Sequence, residues 1–353
     1  MNAGRLHEAP ARVYWELTRA CDLACRHCRA EAMPSRAPDE LTTDECARVL
    51  AQLACAAFAP HVVFTGGDPL KRPDLTTLVA RATALGVPAS VAPSATDGLT
   101  RAIVDELKRA GVEAMSLSLD GPTPAHHDGV RGVLGCFGWT LVAAQHIVAA
   151  GIPLQVNNLV TAESAPHLED IAELVARIGA ARWSLFFLIG VVRGRTLTPI
   201  DPAEAERTLT WLATHATSWP FVASTTEAPH YRRIVLQRLE QRCSAAEIAT
   251  HPVSRSFGLR DGSGIMFIAA NGDVTPSGFL PLVAGNVRVT DPLEIYRESA
   301  LFRALRQPAL FTGRCGRCGF RAVCGGSRAR AWANGDVFGE DPLCAWIPPV
   351  AVA

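Results

Sequence analysis

The sequence has no excess of charge of either sign and no long apolar run. Lysine and arginine total 34 residues, and aspartate and glutamate also total 34, in a chain of 353. Such a chain has no overall field to attract nucleic acid or an anionic membrane. None of its apolar runs reaches the ~20 residues that a membrane helix requires. We therefore expect no nucleic acid partner and no membrane partner.

The sequence also lacks a recognisable export signal. Residues 1–8 contain no apolar core of the kind that a signal peptide has. Eleven cysteines without such a signal indicate a reducing cytosol, where thiols bind metals rather than form disulfides. The sequence therefore predicts a cytoplasmic protein.

Three cysteines near the beginning of the chain have the spacing C-x3-C-x2-C. They are Cys21, Cys25 and Cys28, and a fourth cysteine is missing nearby. Three thiolates can hold three irons of a cubane cluster and leave one iron open to a small ligand. The alternatives are a structural zinc site or cysteines that pack as small apolar side chains. Zinc sites usually contain two paired C-x2-C units, so the spacing favours the iron–sulfur interpretation.

Short β-branched or aromatic runs alternate with Ala- and Leu-rich helical stretches in the first 200 residues. This alternation predicts parallel βα units with right-handed crossovers. The fold class is therefore α/β, as an incomplete barrel or an open sheet, with ligands at the carboxyl ends of the strands. The predicted strands are 13–18, 61–65, 89–93, 114–119, 154–160 and 182–189, and the predicted helices are 43–57, 73–85, 100–110, 138–150 and 166–178.

The cysteine motif resembles the signature of the radical S-adenosylmethionine (SAM) superfamily, in which an aromatic residue or a histidine, here His27, precedes the third cysteine. The resemblance implies a partial (β/α)6 TIM-like barrel and a 4Fe–4S cluster that binds SAM. It also implies that an electron passes into SAM, and that the resulting 5′-deoxyadenosyl radical abstracts a substrate hydrogen. An electron donor such as flavodoxin or ferredoxin would supply that electron.

Residues after the second predicted strand resemble the family's SAM motif. Gly66 and Gly67 would let the backbone approach the ligand, and Asp68 would accept a hydrogen bond from the SAM ammonium. Without the cysteine motif, the same residues would be an ordinary turn.

Further candidates for SAM binding follow the later strands. The resemblance places Ser118 and Asp120 at the barrel mouth, near the amino acid or ribose of SAM. It implies that Arg131 holds the SAM carboxylate, whereas a solvated loop charge is the alternative. Asn158, with its neighbour Asn157, and Leu188 are weaker candidates for the adenosine wall.

A second cysteine set lies near the end of the chain. It is a complete four-thiolate set that could close a second 4Fe–4S cluster, with zinc as the alternative because spacing alone does not name the metal. It resembles the SPASM extension of radical SAM enzymes, which binds auxiliary clusters. Ser277 and Arg328 stand where that extension usually has cysteines, so we expect its other auxiliary cluster to be absent. The four cysteines are Cys315, Cys318, Cys324 and Cys344.

The predicted organisation has three parts. Residues 1–200 are expected to form the partial barrel and residues 201–258 a helical connector. Residues 259–347 are expected to form the small SPASM-like domain, because the sequence there becomes rich in glycine and contains only short strand-like runs.

The substrate is predicted from a narrower resemblance. Segments 183–188, 226–233 and 324–331 resemble the branch that acts on siroheme-derived tetrapyrroles, whose members remove or oxidise propionate side chains. The resemblance implies a propionate clamp and a proton-transfer or iron-contacting group, whereas the alternative is an ordinary helix start with exposed arginines. The predicted clamp residues are Arg232 and Arg233, and the predicted transfer residues are His230 and Tyr231.

Two further arginines are predicted to face the substrate, and two alternative functions stay open. Arg193 and Arg195 follow the sixth strand and are expected to face the substrate cavity. A maturase that modifies a ribosomally made peptide is the second hypothesis. An electron carrier without SAM chemistry is the third, and the open three-cysteine site argues against it.

Overall fold

Parallel strands that follow one another in the chain form the central sheet of the computed structural model, which describes residues 5–349. The six strands predicted from the sequence are present, and a seventh follows them. The expected α/β partial barrel is therefore confirmed. The seven strands are β1 (Arg12–Thr18), β2 (His61–Gly66), β3 (Ala89–Val91), β4 (Ala114–Ser118), β5 (Leu154–Val160), β6 (Arg182–Phe187) and β7 (Val222–Thr226).

The side chains of strand β1 alternate between the outer and the inner face of the barrel wall. Val13, Trp15 and Leu17 point outward and are fully buried in the apolar core between the sheet and its helices. Arg12 and Tyr14, on the alternate face, line the interior of the barrel. Since side chains alternate along a strand, one strand supplies both the apolar core and the cavity wall.

Helices cover the outer face of the sheet. In the first long helix, α2, the buried residues Cys46, Val49, Leu50 and Leu53 have helical spacing. Thr42 and Glu45 form a capping box at its beginning. The helices of the barrel and connector are α1 (Arg5–Glu8), α2 (Thr43–Ala54), α3 (Leu75–Ala84), α4 (Arg101–Arg109), α5 (Pro124–Arg131), α6 (Cys136–Ala149), α7 (Leu168–Ile178), α8 (Pro202–His215), α9 (His230–Glu240) and α10 (Ala245–Thr250).

The C-terminal part continues the same sheet. Strand β9 (Gly264–Ile268) pairs in parallel with β1, and β10 (Asp273–Thr275) pairs antiparallel with β9. Within the described residues, all eleven strands join one sheet. The remaining elements are β8 (Arg260–Asp261), β11 (Gly285–Asn286), α11 (Pro292–Glu298), α12 (Ala300–Leu305), α13 (Gly313–Arg317) and α14 (Arg328–Ala333).

The segment 201–258 differs from the expectation of a helical connector. Strand β7 lies within it and pairs in parallel with β6, so this segment completes the barrel wall. Pairing of β9 with β1 likewise ties the start of the third segment to the barrel. The division into 1–200, 201–258 and 259–347 stays a prediction, and its first four residues lie outside the described residues.

No single helix within residues 5–349 is long and apolar enough to cross a membrane. Helices α5 and α6 meet the length and composition requirement only together, and they bend by 98° where they join.

Candidate active site

The three-cysteine motif lies in the loop that leaves the carboxyl end of β1. Cys21 and Cys25 are buried and Cys28 is half-buried. The three thiols belong to one small apolar group that also contains Leu23 and Cys136. Three soft thiol donors held together in apolar surroundings fit three corners of an iron–sulfur cluster. The residues present therefore fit the predicted 4Fe–4S group.

Backbone hydrogen bonds fasten this loop to helix α5. The amide of Ala24 donates to the carbonyl of Arg131 at 3.2 Å, and the amide of Arg26 donates to the carbonyl of Val130 at 2.9 Å. Cys21 is held from the other side, because its amide donates to the carbonyl of Met33 at 2.8 Å. The loop is therefore positioned by tertiary contacts and not by its own secondary structure.

The surroundings of Cys25 raise the pKa of its thiol overall, and Arg131 is the group that favours the thiolate form. Burial raises the pKa of the Cys25 thiol, and the guanidinium of Arg131 opposes this by lowering the same pKa. The Arg131 Nη1 atom lies 3.7 Å from the Cys25 sulfur. A cation beside a buried sulfur stabilises its deprotonated form, which is the form that binds metal.

The two glycines of the second-strand motif allow close packing against the cysteine loop. A Cβ atom at Gly66 would lie 2.3 Å from the carbonyl oxygen of Thr18, and a Cβ atom at Gly67 would lie 2.4 Å from that of Ala20. Gly66 also has φ +149, which side chains rarely adopt. Both glycines line the central cavity. Glycine is therefore required at both positions for packing against the cysteine loop, independently of any contact with a ligand.

We predict that Gly67→Ala will displace the cysteine loop. The added methyl group meets backbone atoms of Ala20 and Arg19, which cannot rotate away as a flexible side chain can. Overpacking of this kind typically costs about 1–3 kcal/mol of unfolding free energy. The expected result is a lower thermal midpoint and a lower iron content after anaerobic reconstitution.

Gly190→Ala is the matched control for Gly67→Ala, because a Cβ atom at Gly190 has no neighbour within 4 Å among the described residues. It should keep the iron content and the thermal midpoint of the parent protein. Parental values in Gly67→Ala would show that the loop tolerates the methyl group and that the packing argument is wrong.

Asp68 is placed differently from the expectation. Its carboxylate is buried and accepts hydrogen bonds from the amides of Leu70 at 3.1 Å and Ser94 at 3.3 Å. Burial raises the pKa of Asp68 to about 6. The side chain supports the turn that carries Gly66 and Gly67 and does not line the cavity, so binding of the SAM ammonium by Asp68 stays a prediction.

Ser94 connects the glycine motif to the cysteine loop. Its hydroxyl donates to the carbonyl of Gly67 at 3.1 Å and lies 3.3 Å from the sulfur of Cys21. Sequence reasoning missed this residue. The available signal was its position just after the third predicted strand, at the edge where ligands bind.

Ser118 and Arg131 line the central cavity, as expected of SAM-binding residues. Asp120, in contrast, is buried behind the wall, where it forms an ion pair with Arg131 and accepts a hydrogen bond from the amide of Leu159 at 2.7 Å. Burial and the charge of Asp120 act in opposite directions on the pKa of Arg131, and the net shift is upward. Asp120 is therefore placed to orient Arg131, and the expectation that it faces the barrel mouth is wrong.

Three other predicted cofactor residues also lie outside the cavity wall. Asn158 is fully buried and donates to the carbonyl of Leu119 at 3.2 Å, whereas Asn157 lines the cavity. Leu188 packs in a small apolar group with Leu159. His27 does not line the cavity either. Its pKa is lowered to about 4, first by burial and then by the charge of Arg131. The structure therefore favours Asn157 over Asn158 as a wall residue.

The interior of the barrel is a cavity of about 880 Å³. Among the described residues that line it, six are arginines and three are carboxylic acids. Glu16 and Asp120, which do not line the cavity, pair with two of the six arginines, so four lining arginines have no carboxylate partner within the described residues. The arginines are Arg12, Arg29, Arg131, Arg182, Arg232 and Arg260, and the acids are Glu113, Glu227 and Asp261.

The predicted substrate residues at the start of α9 do not act as one group. Arg232 lines the central cavity. Arg233 instead forms an ion pair with Glu206, and its guanidinium lies 5.1 Å from the ring centre of Trp346, beside the second cysteine set. The prediction that both arginines form one clamp is therefore wrong, and so is the alternative that both are exposed.

The imidazole and the phenol predicted to transfer a proton are also away from the cavity. His230 is fully buried with Nδ1 4.0 Å from the carboxylate of Asp341, and burial lowers its pKa to about 4. Tyr231 packs against the apolar core, and burial raises its pKa to about 12. Neither side chain lines the cavity, so their predicted contact with substrate is not supported.

Arg193 and Arg195 also lie outside the cavity wall. Arg193 donates to the carbonyl of Ala32 at 3.3 Å, next to the cysteine loop, and Arg195 is exposed. The expectation that they face the substrate is wrong.

The second cysteine set surrounds a cavity of its own. The four thiols line it together with Arg233, Phe320 and Trp346. Four thiol donors around one largely apolar space fit a closed 4Fe–4S cluster. The lining thiols belong to Cys315, Cys318, Cys324 and Cys344.

Arg328 and Ser277 occupy the positions where cysteines were missing. Arg328 is fully buried and its Nη2 atom lies 3.6 Å from the sulfur of Cys315. Ser277 is buried at the wall of the central cavity. Within residues 5–349, no group of three or more His, Cys, Asp or Glu side chains is placed to hold a single metal ion.

Several cavity residues escaped sequence reasoning. Arg29 follows the last cysteine of the motif, pairs with Glu16 at 3.0 Å and lies 4.3 Å from the ring centre of Phe267. Arg260 and Asp261 stand at the start of the C-terminal strands. The only signal in the sequence was their polarity beside apolar runs, which does not show the direction of a side chain.

Comparisons of the sequence with known proteins support the interpretation of the cysteine loop as a SAM and cluster site. Residues 15–178 match the model of the radical SAM superfamily. The chain is 39% identical over 340 residues to the AdoMet-dependent heme synthase of Nitratidesulfovibrio vulgaris, covering 95% of this chain and 92% of that protein. It is 29% identical to the mycofactocin maturase MftC of Mycobacterium tuberculosis, covering 96% of this chain and 83% of that protein.

A solved structure shares the fold. The crystal structure of SuiB from Streptococcus suis has a TM-score of 0.75 with 18% sequence identity, and the match covers 96% of this chain and 78% of that one. With the cysteine loop, the glycine motif and Arg131 gathered at the carboxyl ends of the strands, this chain belongs to the radical SAM superfamily.

Proposed function

We propose that this radical SAM enzyme modifies the propionate side chains of a heme-type tetrapyrrole. The observation that carries the proposal is the cavity of about 880 Å³ whose described lining has four arginines without a carboxylate partner. Pockets of ~300–1,000 Å³ hold cofactor-sized ligands. A substrate with several carboxylates could pair with these arginines, and the similarity to a heme synthase along nearly the whole chain points to the same class.

The enzyme uses SAM and a 4Fe–4S cluster, as its family does. Cys21, Cys25 and Cys28 would hold that cluster and leave one iron for SAM. When bound, the two groups supply a 5′-deoxyadenosyl radical that removes a hydrogen atom from the substrate. We assign the SAM carboxylate to Arg131, whose guanidinium lines the cavity and is oriented by Asp120.

The chain's own residues bind and enclose the substrate. The cavity is walled by Gly66, Gly67 and Ser118 at the carboxyl end of the barrel and by Arg232 and Ser277 from the C-terminal half. Residues from both halves line one space, which would shield a reactive intermediate from much of the surrounding water. The second cysteine set would hold an auxiliary 4Fe–4S cluster behind this wall.

The peptide maturase is the second candidate. The similarity to MftC and the shared fold with SuiB favour it. The 39% identity to a heme synthase exceeds the 29% identity to MftC over similar lengths, so the tetrapyrrole proposal ranks first. For either substrate we propose a cytoplasmic enzyme that takes its electron from a flavodoxin or ferredoxin.

The proposal is tested with anaerobically reconstituted and reduced protein, SAM and iron coproporphyrin III, a tetrapyrrole that carries propionates. We expect a perturbed absorption band of the porphyrin at micromolar protein and formation of 5′-deoxyadenosine. With a one-electron acceptor added, we also expect a product that has lost carboxyl groups as CO2 by mass spectrometry, because each loss that follows hydrogen abstraction releases one electron. The control is the same protein with Cys21, Cys25 and Cys28 replaced by Ala, which should form neither product. An unchanged porphyrin spectrum together with turnover of a peptide would favour the maturase instead.

A further inference from the structure

Two arginines that are distant in sequence lie on the same part of the cavity wall. Arg232, on α9, and Arg260, on β8, both line the central cavity. The carbonyl of Val323 accepts hydrogen bonds from Arg232 at 3.4 Å and from the amide of Gly258 at 3.1 Å, and the carbonyl of Gly258 accepts one from Arg260 at 3.2 Å. Two cations in such proximity repel each other unless an anion lies between them.

Neither arginine has a counterion of its own. Within residues 5–349, no carboxylate oxygen lies within 4 Å of either guanidinium. Arg232 donates to the carbonyl of Val323 at 3.4 Å, and Arg260 donates to those of Gly258 at 3.2 Å and Leu305 at 3.4 Å. These are long hydrogen bonds to neutral acceptors.

Arg260 also keeps a donor without an acceptor. Its side chain is buried, with only 5% of the residue exposed, and its Nε atom has no hydrogen-bond partner within the described part of the chain. A buried donor without a partner destabilises the folded protein. A ligand that accepts this hydrogen bond would remove that cost.

Three other arginines at or behind the cavity wall are paired with carboxylates. Arg29 pairs with Glu16, and Arg131 pairs with Asp120. Arg330, behind the wall, pairs with Asp341 at 3.0 Å. Arg12 and Arg182 also lack a carboxylate partner among the described residues, but they are the first residues of β1 and β6 and so lie at the amino ends of the strands. Arg232 and Arg260 are therefore the two arginines without a carboxylate partner that the C-terminal half brings to the wall.

The adjacent acids do not neutralise the two arginines fully. Glu227 and Asp261 also line the cavity, and the Glu227 carboxylate accepts a hydrogen bond from the Ser327 hydroxyl at 2.5 Å. Burial, together with the charge of Asp261, raises the pKa of Glu227 well above its ordinary value. Burial lowers the pKa of both Arg232 and Arg260 to about 10, so both are charged at neutral pH. The Asp261 carboxylate accepts a hydrogen bond from the amide of Ala329 at 2.9 Å, so both acids are held by groups other than the two arginines.

We propose that Arg232 and Arg260 together bind one carboxylate of the substrate, on the cavity wall that faces the loop of Cys324. The planar guanidinium groups suit two-point recognition of a carboxylate. This assignment rests on the proposed function for the identity of the substrate. It replaces the clamp of adjacent arginines predicted from the sequence, and it fixes which end of the substrate lies nearest to the second cysteine set.

The test compares binding of iron coproporphyrin III with binding of its methyl ester to the reconstituted protein, measured by absorption titration. Arg232→Met and Arg260→Met should each weaken binding of the free acid by ~10- to 150-fold, since a hydrogen bond to a charged group is worth about 1.5–3 kcal/mol. Both should bind the ester as the parent protein does. Arg260→Lys keeps the charge in case Arg260→Met does not fold, and it should show a smaller loss with the same selectivity for the acid.

Arg195→Met is the matched control, because Arg195 is exposed and lies outside the cavity wall. It should bind both porphyrins as the parent does. Binding of the acid within twofold of the parent in both Arg232→Met and Arg260→Met would overturn the site, and so would equal losses for acid and ester.

A second probe separates this site from the choice of substrate. If the parent protein binds no porphyrin, the proposed function fails, and the site is judged by 3-phenylpropionate, which carries a single carboxylate. Stabilisation of the parent against heat by this acid, absent from Arg232→Met and Arg260→Met, would support the site. Equal stabilisation of the parent and both variants, or none of the parent, would overturn it.

Discussion

Replacement of Cys21, Cys25 and Cys28 with Ala is expected to halve the iron content and to abolish the cleavage of SAM. Two cubane clusters correspond to ~8 iron and ~8 sulfide per chain after reconstitution, and these three thiols would hold one of them. SAM cleavage requires the iron that this set leaves open. The measurements are iron and sulfide analysis and the yield of 5′-deoxyadenosine from SAM under reducing conditions.

The second cysteine set provides a matched comparison. Replacing Cys315 and Cys318 should also remove about half of the iron but leave some SAM cleavage, because these thiols surround a separate cavity. Cys55→Ala, at an exposed thiol, should change neither quantity. One zinc per chain with half of the expected iron would show that the second set holds zinc and not a cluster.

Arg131→Met is expected to weaken the binding of SAM by roughly 10- to 150-fold, because a charge-assisted hydrogen bond is typically worth about 1.5–3 kcal/mol. It should also lower the stability of the fold by about 3–5 kcal/mol, since it leaves the carboxylate of Asp120 buried without its partner. Equilibrium binding of SAM and the thermal midpoint measure the two effects.

A double variant separates these effects. Arg131→Met combined with Asp120→Asn removes the buried charge and should recover much of the lost stability, but not the affinity for SAM. Arg26→Met, which breaks a surface pair with Glu163, should cost at most ~1 kcal/mol. SAM binding within twofold of the parent in Arg131→Met would show that this arginine does not hold the SAM carboxylate.

The strands of the barrel were predictable because their burial leaves a pattern in the sequence. Strands β1 to β6 carry β-branched and aromatic residues on a face that packs under helices, as Val13, Trp15 and Leu17 do. Strand β7 was missed because Val222–Thr226 is only half-buried and rich in small polar residues. Its place in the sheet depends on pairing with β6, which is a contact between distant segments.

The difference between a local sequence pattern and a tertiary contact also explains why the substrate residues were predicted only in part. The sequence showed that two arginines stand at 232 and 233, but adjacent residues on a helix point about 100° apart. Arg232 therefore reaches the central cavity while Arg233 reaches the cavity of the second cysteine set. Asn157 and Asn158 are separated in the same way, because neighbouring side chains on a strand point to opposite faces.

By itself, the sequence determined the chemistry of the donors. Cysteine spacing limits which thiols can meet at one cluster, and the glycine motif and Arg131 are recognisable because their residue types cannot be exchanged freely. Only the tertiary structure decided which charged side chains share a space. Arg232 and Arg260 line one cavity because β8 and β9 return to the barrel beside β1. The ion pair of Asp120 with Arg131 is likewise visible only in the folded structure. Such pairings depend on the direction of side chains and on contacts between distant segments, which local sequence patterns do not encode.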